Sequence, residues 1–228
     1  MYTVDEKNIF KIVKIGKDEI TLMGTGFFVR YNAYVYVISA SHVFEKFELS
    51  YGEKYAILSS LFFYEGKAFF HKIDEKKLVL KNNSKFSYDF DLAVYKLCPL
   101  AMFENDGINL IDLNNGCYTP KISGRVLVKG YPDFYNEKYS SVKTDQIIPP
   151  LSIKSTILTD VSIDKHYLIS NDTGNINFGG MSGAPVCLGG KLVGVFCGAA
   201  ISDEGFSVFR VCKIGFIAFV IDYVLKKR

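Results

Sequence analysis

The chain has 228 residues, 49% of them hydrophobic and 22% charged, with a net charge of +3. That is enough apolar material for one large core or two small ones packed side by side. The near-even charge balance gives no electrostatic reason to expect a nucleic-acid or anionic membrane partner. The longest apolar stretch, Ile214 to Leu225, is broken by Asp222 and is far shorter than the roughly 20 apolar residues needed to cross a bilayer.

Short runs rich in valine, isoleucine, tyrosine and phenylalanine recur in chain order. They are Phe10 to Ile15, Glu19 to Met23, Gly26 to Val29, Ala33 to Ser39, Tyr55 to Phe63, Lys77 to Leu80 and Leu92 to Leu97. Pro99 to Tyr118 reads as loop, with turn signals at Asn105-Asp106-Gly107 and Asn114-Asn115-Gly116. Then come Gly124 to Val128, Ser152 to Leu158, Tyr167 to Ser170, Pro185 to Leu188, Leu192 to Phe196 and Phe206 to Phe216. Such runs, separated by Gly, Asn, Asp and Lys clusters, predict an all-β protein. We expect two β-subdomains, residues 1–115 and 116–228. Helical spacing is clear only at the end, where Phe216, Phe219, Val220, Val224 and Leu225 precede Lys226-Lys227-Arg228.

The N-terminus, Met1-Tyr2-Thr3-Val4-Asp5-Glu6-Lys7, places acid where a secretory signal would have a basic start and an apolar stretch. Cys98, Cys117, Cys187, Cys197 and Cys212 are odd in number and lack CxxC spacing, which fits reduced core thiols in a cytoplasmic protein. Among 27 basic residues only Arg30, Arg125, Arg210 and Arg228 are arginine.

The residues able to carry chemistry are few. His42 ends the apolar strand Tyr34 to Ile38 in Ser39-Ala40-Ser41-His42-Val43, at a corner where its ring can face a cleft. His71 and His166 stand among charged neighbours and read as surface residues. Tyr88-Asp89-Phe90-Asp91 runs into the strand Leu92 to Leu97, placing a carboxylate, Asp89 or Asp91, at the mouth of a buried strand. Gly179-Gly180-Met181-Ser182-Gly183-Ala184-Pro185 surrounds a serine with glycines that permit unusual backbone angles. The order His, Asp, Ser is that of a chymotrypsin-like triad, in which imidazole takes the proton of a weak serine nucleophile and a carboxylate orients the imidazole. The α/β-hydrolase elbow is excluded, because Ala184 occupies its last glycine position and no histidine follows Ser182.

These segments resemble the trypsin-like (chymotrypsin-fold, clan PA) serine peptidases, especially the single-domain bacterial type. Gly24-Thr25-Gly26-Phe27 is similar to the family's GSGF strand, Val37 to Val43 to vlTAaHv, and Asp91-Leu92-Ala93-Val94 to DlAl. Gly130-Tyr131-Pro132 resembles GyP, Gly180 to Pro185 resembles GxSGgP, and Gly190 to Val195 resembles GklvGi. Ile214 to Ile221 is similar to the last strand entering the C-terminal helix.

The resemblance implies two antiparallel β-barrels with a C-terminal α-helix. The catalytic residues it implies are His42 and Asp91 from the first barrel and Ser182 from the second, with an oxyanion hole of the Gly180 and Ser182 amides. Cys197, Gly198 and Ala199 would be the edge along which a substrate lies extended. The implied activity is a serine endopeptidase acting through an acyl-enzyme on a protein or peptide, restrained by narrow specificity or by an activating or targeting partner protein. The alternatives are a noncatalytic protease-fold binding module and a viral polyprotein-processing protease.

Met181 stands where digestive members have the aspartate that pairs with a newly cut N-terminus, so activation by trimming is not expected. Ala184 replaces a usual glycine, and Asn175-Ile176-Asn177-Phe178 does not align without a gap. No targeting domain of the PDZ kind is expected after residue 228. No metal or organic cofactor is expected, since no His/Cys/Asp cluster has ligand spacing.

Overall fold

A computed structural model describes residues 5–17, 20–45, 54–64, 67–74, 78–79, 91–100, 110–115, 123–132, 150–159, 166–171, 178–201 and 207–226. The first sheet contains β1 (Ile9–Ile15), β2 (Ile20–Tyr31), β3 (Tyr34–Ser39), β4 (Lys54–Tyr64), β5 (Lys67–Lys72), β6 (Leu78–Val79), β7 (Ala93–Pro99) and β8 (Ile111–Asp112). Its order is β5-β4-β1-β2-β3-β7-β6, with β8 beside β2. The second sheet contains β9 (Arg125–Gly130), β10 (Leu151–Thr159), β11 (His166–Ser170), β12 (Pro185–Leu188), β13 (Lys191–Ile201) and β14 (Ser207–Lys213). It closes as β10-β11-β14-β13-β12-β9. The described residues also hold two α-helices, α1 (His42–Glu45) and α2 (Gly215–Lys226). The all-β architecture expected from the sequence is present, with the second sheet closed into a barrel and the first an eight-stranded sheet.

The strands of the first sheet read as continuous apolar runs because both faces are covered. Side chains alternate sides along a strand, so Val35 and Val37 of β3 and Phe28 of β2 fill the interior of the first sheet. Tyr36 and Ile38, with Phe27 and Val29, turn the other way into a second core. That second core lies between the sheets. It takes Cys187, Val195, Cys197 and Cys212 from the closed barrel and Ile217, Val220 and Ile221 from α2. A third cluster, including Val126, Met181, Phe196 and Phe209, fills the closed barrel.

Several expectations are corrected. Ile214 to Ile221 is not a strand entering a helix: β14 ends at Lys213 and α2 begins at Gly215. Ile214 is the turn residue between them, its carbonyl accepting from the Ile217 amide. The helix also presents a different face. Phe219 is 52% exposed while Ile217, Val220 and Ile221 are buried; Phe219 shares its stripe of the helix with Asp222 and Lys226, three and seven residues on, and the more apolar stripe meets the core. The segment read as loop contains β8, which pairs in parallel with Val29 and Arg30 of β2. His166 is not at the surface: it pairs with Cys212 in the barrel and is 8% exposed. Tyr167 and Ile169 take the barrel interior, so pleating turns His166 to the side of Cys212, which faces the core between the sheets, whatever the charge of its sequence neighbours.

Among the described cysteines, Cys187, Cys197 and Cys212 are buried free thiols and Cys98 is a half-buried one; Cys117 lies outside the described residues. Among the described residues no helix is long and apolar enough to cross a membrane.

Candidate active site

The β3–β7 ladder brings the first two candidate residues together. Ser39 pairs with Ala93 at the end of that ladder, so the chain leaving β3 and the chain entering β7 meet there. His42 opens α1, and Asp91 stands two residues before β7 with φ of 49°, a left-handed conformation that aspartate tolerates better than most side chains. The Ser41 amide donates to the Asp91 carbonyl at 3.2 Å.

Asp91 is 8% exposed and its carboxylate is well supplied with donors. Oδ1 accepts from the Ser41 hydroxyl at 3.0 Å and from the His42 amide at 3.1 Å. Nδ1 of His42 lies 2.9 Å from Oδ1 and 2.8 Å from Oδ2. Burial by itself would raise the Asp91 pKa, but the hydrogen bonds and charge of His42 and the Ser41 hydroxyl outweigh it, and the net direction is down. An ionised carboxylate is only an acceptor, so Nδ1 must carry the proton it shares with Asp91. In the neutral ring Nε2 is then the free base. Asp89 lies outside the described residues.

One partner of Asp91 comes from the other sheet. Nη2 of Arg210, on β14, lies 3.2 Å from Oδ2. Sequence reasoning missed it, because nothing local joins positions 210 and 91. The available signal was a lone arginine within the apolar run Val208-Phe209-Arg210-Val211-Cys212.

Ser182 sits in a turn pinned from both sides. Its carbonyl accepts from the Thr25 amide at 2.8 Å. The Thr25 hydroxyl donates to the Gly180 carbonyl at 2.9 Å and accepts from the Tyr131 amide at 2.9 Å. Met181, Gly183 and Ala184 direct their amides back into the fold, to the carbonyls of Phe178, Phe196 and Met181. The Gly180 and Ser182 amides meet no acceptor among the described residues. Two unengaged amides thus flank a serine in an otherwise bonded turn.

The neighbours of Ser182 meet the neighbours of His42. A Cβ on Gly24 would lie 2.9 Å from the Ser182 carbonyl and 2.7 Å from Val43. A Cβ on Gly183 would press on the Thr25 carbonyl and the Ser39 hydroxyl and lie 3.0 Å from the Ala40 amide. Gly183 has φ of +90°, which only glycine adopts readily, so both backbone angle and space demand glycine there. No hydrogen bond joins Ser182 to His42 among the described residues.

Cys197, Gly198 and Ala199 lie on β13 beside this turn. Pro185 of β12 pairs with Val195, and no β12 residue lies opposite positions 197–199. Gly198 and Ala199 are paired on their other side with Arg210 and Phe209 of β14. A Cβ on Gly198 would stand 3.9 Å from Ser182 Oγ, which puts this strand next to the serine. Among the described residues no three His, Cys, Asp or Glu side chains gather as metal ligands. Asn175 to Asn177 lie outside the described residues.

The sequence pattern of the trypsin-like peptidase domain matches residues 24–195, well over half of the chain. Among curated proteins, none matches. The fold is similar to that of the apo MamO protease domain from Magnetospirillum magneticum, with 14% identity, 95% of this chain and 97% of that one covered, and a TM-score of 0.59. Mouse neuropsin, a serine protease, has 13% identity, coverage of 100% and 96%, and a TM-score of 0.60. The active form of the Rv3671c protease from M. tuberculosis has 18% identity, coverage of 95% and 80%, and a TM-score of 0.55. With the domain pattern spanning both sheets from Gly24 to Val195, the chain belongs to the trypsin-like peptidase family, serine peptidases of chymotrypsin-like fold.

Proposed function

We propose that the chain is a serine endopeptidase that cuts a protein or peptide substrate through Ser182, His42 and Asp91. The observation that carries the reading is the pair of unengaged amides at Gly180 and Ser182 beside a ring whose other nitrogen is held by Asp91. Nε2 of His42 takes the proton from Ser182 Oγ as the oxygen attacks the substrate carbonyl. Asp91 balances the imidazolium, and the two amides receive the oxyanion; losing one such donor typically costs about 10²-fold to 10³-fold in rate. The imidazolium then protonates the departing amine, and water repeats the sequence on the acyl-enzyme to release the acid. Cys197, Gly198 and Ala199 hold the extended substrate through backbone bonds. A cytoplasmic setting, with restraint by narrow specificity or a partner protein, completes the proposal.

The absence of a Ser182–His42 hydrogen bond favours one second reading, a binding module that keeps the peptidase fold without turnover; catalytic bonds in unliganded enzymes are often long as well. A fluorophosphonate probe separates the two. Labelling of the wild type that vanishes in Ser182→Ala and His42→Ala supports the peptidase, and an unlabelled, properly folded wild type supports the binding module.

A further inference from the structure

Asp91 belongs to the first sheet and Ser182 to the closed barrel, and only one side-chain ion pair described at the site bridges them. Arg210 lies on β14 directly opposite Gly198 of β13. Its strand neighbours Phe209 and Val211 face the barrel interior, and Cys212, on the same side of the strand as Arg210, faces the core between the sheets. Arg210 therefore stands where that core opens to solvent, and its side chain remains 44% exposed. From there Nη2 reaches Oδ2 of Asp91 at 3.2 Å.

The distribution of donors gives this contact its meaning. Ser41 and the His42 amide both bind Oδ1. Oδ2 has the His42 ring and Arg210. Without the guanidinium, Oδ2 keeps only the His42 ring, and the carboxylate is held by Ser41 and His42 alone. The remaining side-chain donors to the carboxylate come from Ser41 and His42, on the same sheet as Asp91; the barrel's other contact, Cys197 Sγ at 3.8 Å, goes to the Asp91 backbone carbonyl and leaves the carboxylate untouched.

We infer that Arg210 is a positioning residue that ties the Asp91–His42 pair to the barrel carrying Ser182, setting the direction of the imidazole toward the serine. The inference rests on the proposed peptidase reading for its kinetic consequence, but its structural content does not need turnover. In the Arg210→Ala protein, kcat on a peptide substrate falls by ~10-fold to 100-fold, the range for one hydrogen bond to a charged group, while KM changes little. Arg210→Lys, which supplies one charged donor, recovers most of the loss. A residue that only stabilised the fold would move the melting temperature without this split and without rescue.

The test pairs these kinetics with proton NMR of the full chain, following the far-downfield resonance of the His42 Nδ1 proton shared with Asp91. The expected result is a resonance present in wild type, Ser182→Ala and Arg210→Lys, and shifted or lost in Arg210→Ala that remains folded by circular dichroism. An unchanged resonance in Arg210→Ala, or its absence from wild type, overturns the inference. Loss of kcat in Ser182→Ala together with full kcat in Arg210→Ala overturns it while leaving the peptidase reading standing. A wild type without turnover removes that reading and leaves the resonance to decide.

Discussion

Gly183, in the turn of the serine, and Gly198, on β13, both stand beside Ser182 and both have positive φ, +90° and +109°, so alanine at either position meets a comparable backbone penalty of about 1–2 kcal/mol. Their surroundings differ. At Gly198 the nearest atom to a new Cβ is Ser182 Oγ at 3.9 Å, an ordinary contact. At Gly183 the Cβ intrudes on the Thr25 carbonyl and the Ser39 hydroxyl, groups bonded to each other at 2.8 Å within paired strands that cannot yield separately. Relief requires breaking that bond and displacing the turn, with its Gly183–Phe196 and Thr25–Ser182 bonds at 2.8 Å each. At about 1 kcal/mol for each of these three bonds added to the backbone penalty, Gly183→Ala loses about 4–5 kcal/mol. With about 2–4 °C per kcal/mol for a chain of this size, the melting temperature falls by roughly 8–20 °C, against roughly 2–8 °C for Gly198→Ala. Urea unfolding followed by circular dichroism, alongside calorimetry, gives both values. Equal losses in the two variants would refute the steric argument, because they share the backbone penalty and differ only in the clash.

Thr25→Val keeps shape but strips the Gly180 carbonyl and the Tyr131 amide of their shared hydroxyl; a stability loss of about 1–3 kcal/mol and slower fluorophosphonate labelling are expected in denaturation and labelling assays. Asp91 has a lowered folded-state pKa, so its stabilisation is present above the unfolded value of about 3.9 and is lost as pH falls through the lower folded value. The stability difference between wild type and Asp91→Asn should accordingly be flat from about pH 7 to 5 and shrink below about 4 in denaturation curves taken across pH. On α2, Ile217→Ala should cost about 2–5 kcal/mol and Phe219→Ala no more than about 0.5; the reverse order in thermal melts would mean that the helix docks by its other face.

Where burial and chemistry follow from neighbours in the sequence, they were legible before the structure. Val35 and Tyr36, adjacent and both apolar, announce a strand buried on two sides, and the corner after Ser39 announces a ring at His42 that is only partly covered. The glycines around Ser182 likewise announce a tight turn, since their need for unusual angles is local. What could not be read depends on distant partners. Arg210 gains its meaning only when β14 comes to face Asp91 across 119 residues of sequence. His166 has charged neighbours in the sequence but Cys212 opposite it in the sheet, and Ile111-Asp112 becomes a strand only because β2 offers it an edge. On α2 aromatic and aliphatic residues stand on several faces, and the choice of Ile217 over Phe219 is made by the core it meets.

Met181, wholly buried in the barrel interior immediately before Ser182, gives the turn an anchor with no charge to gain or lose. Such an anchor draws its hold from apolar surface removed from water, which weakens on cooling and raises the heat capacity when it is exposed. The seating of the serine is thereby linked to temperature more than to acidity or salt: chilling loosens it together with the barrel interior, while ionic strength leaves it largely alone.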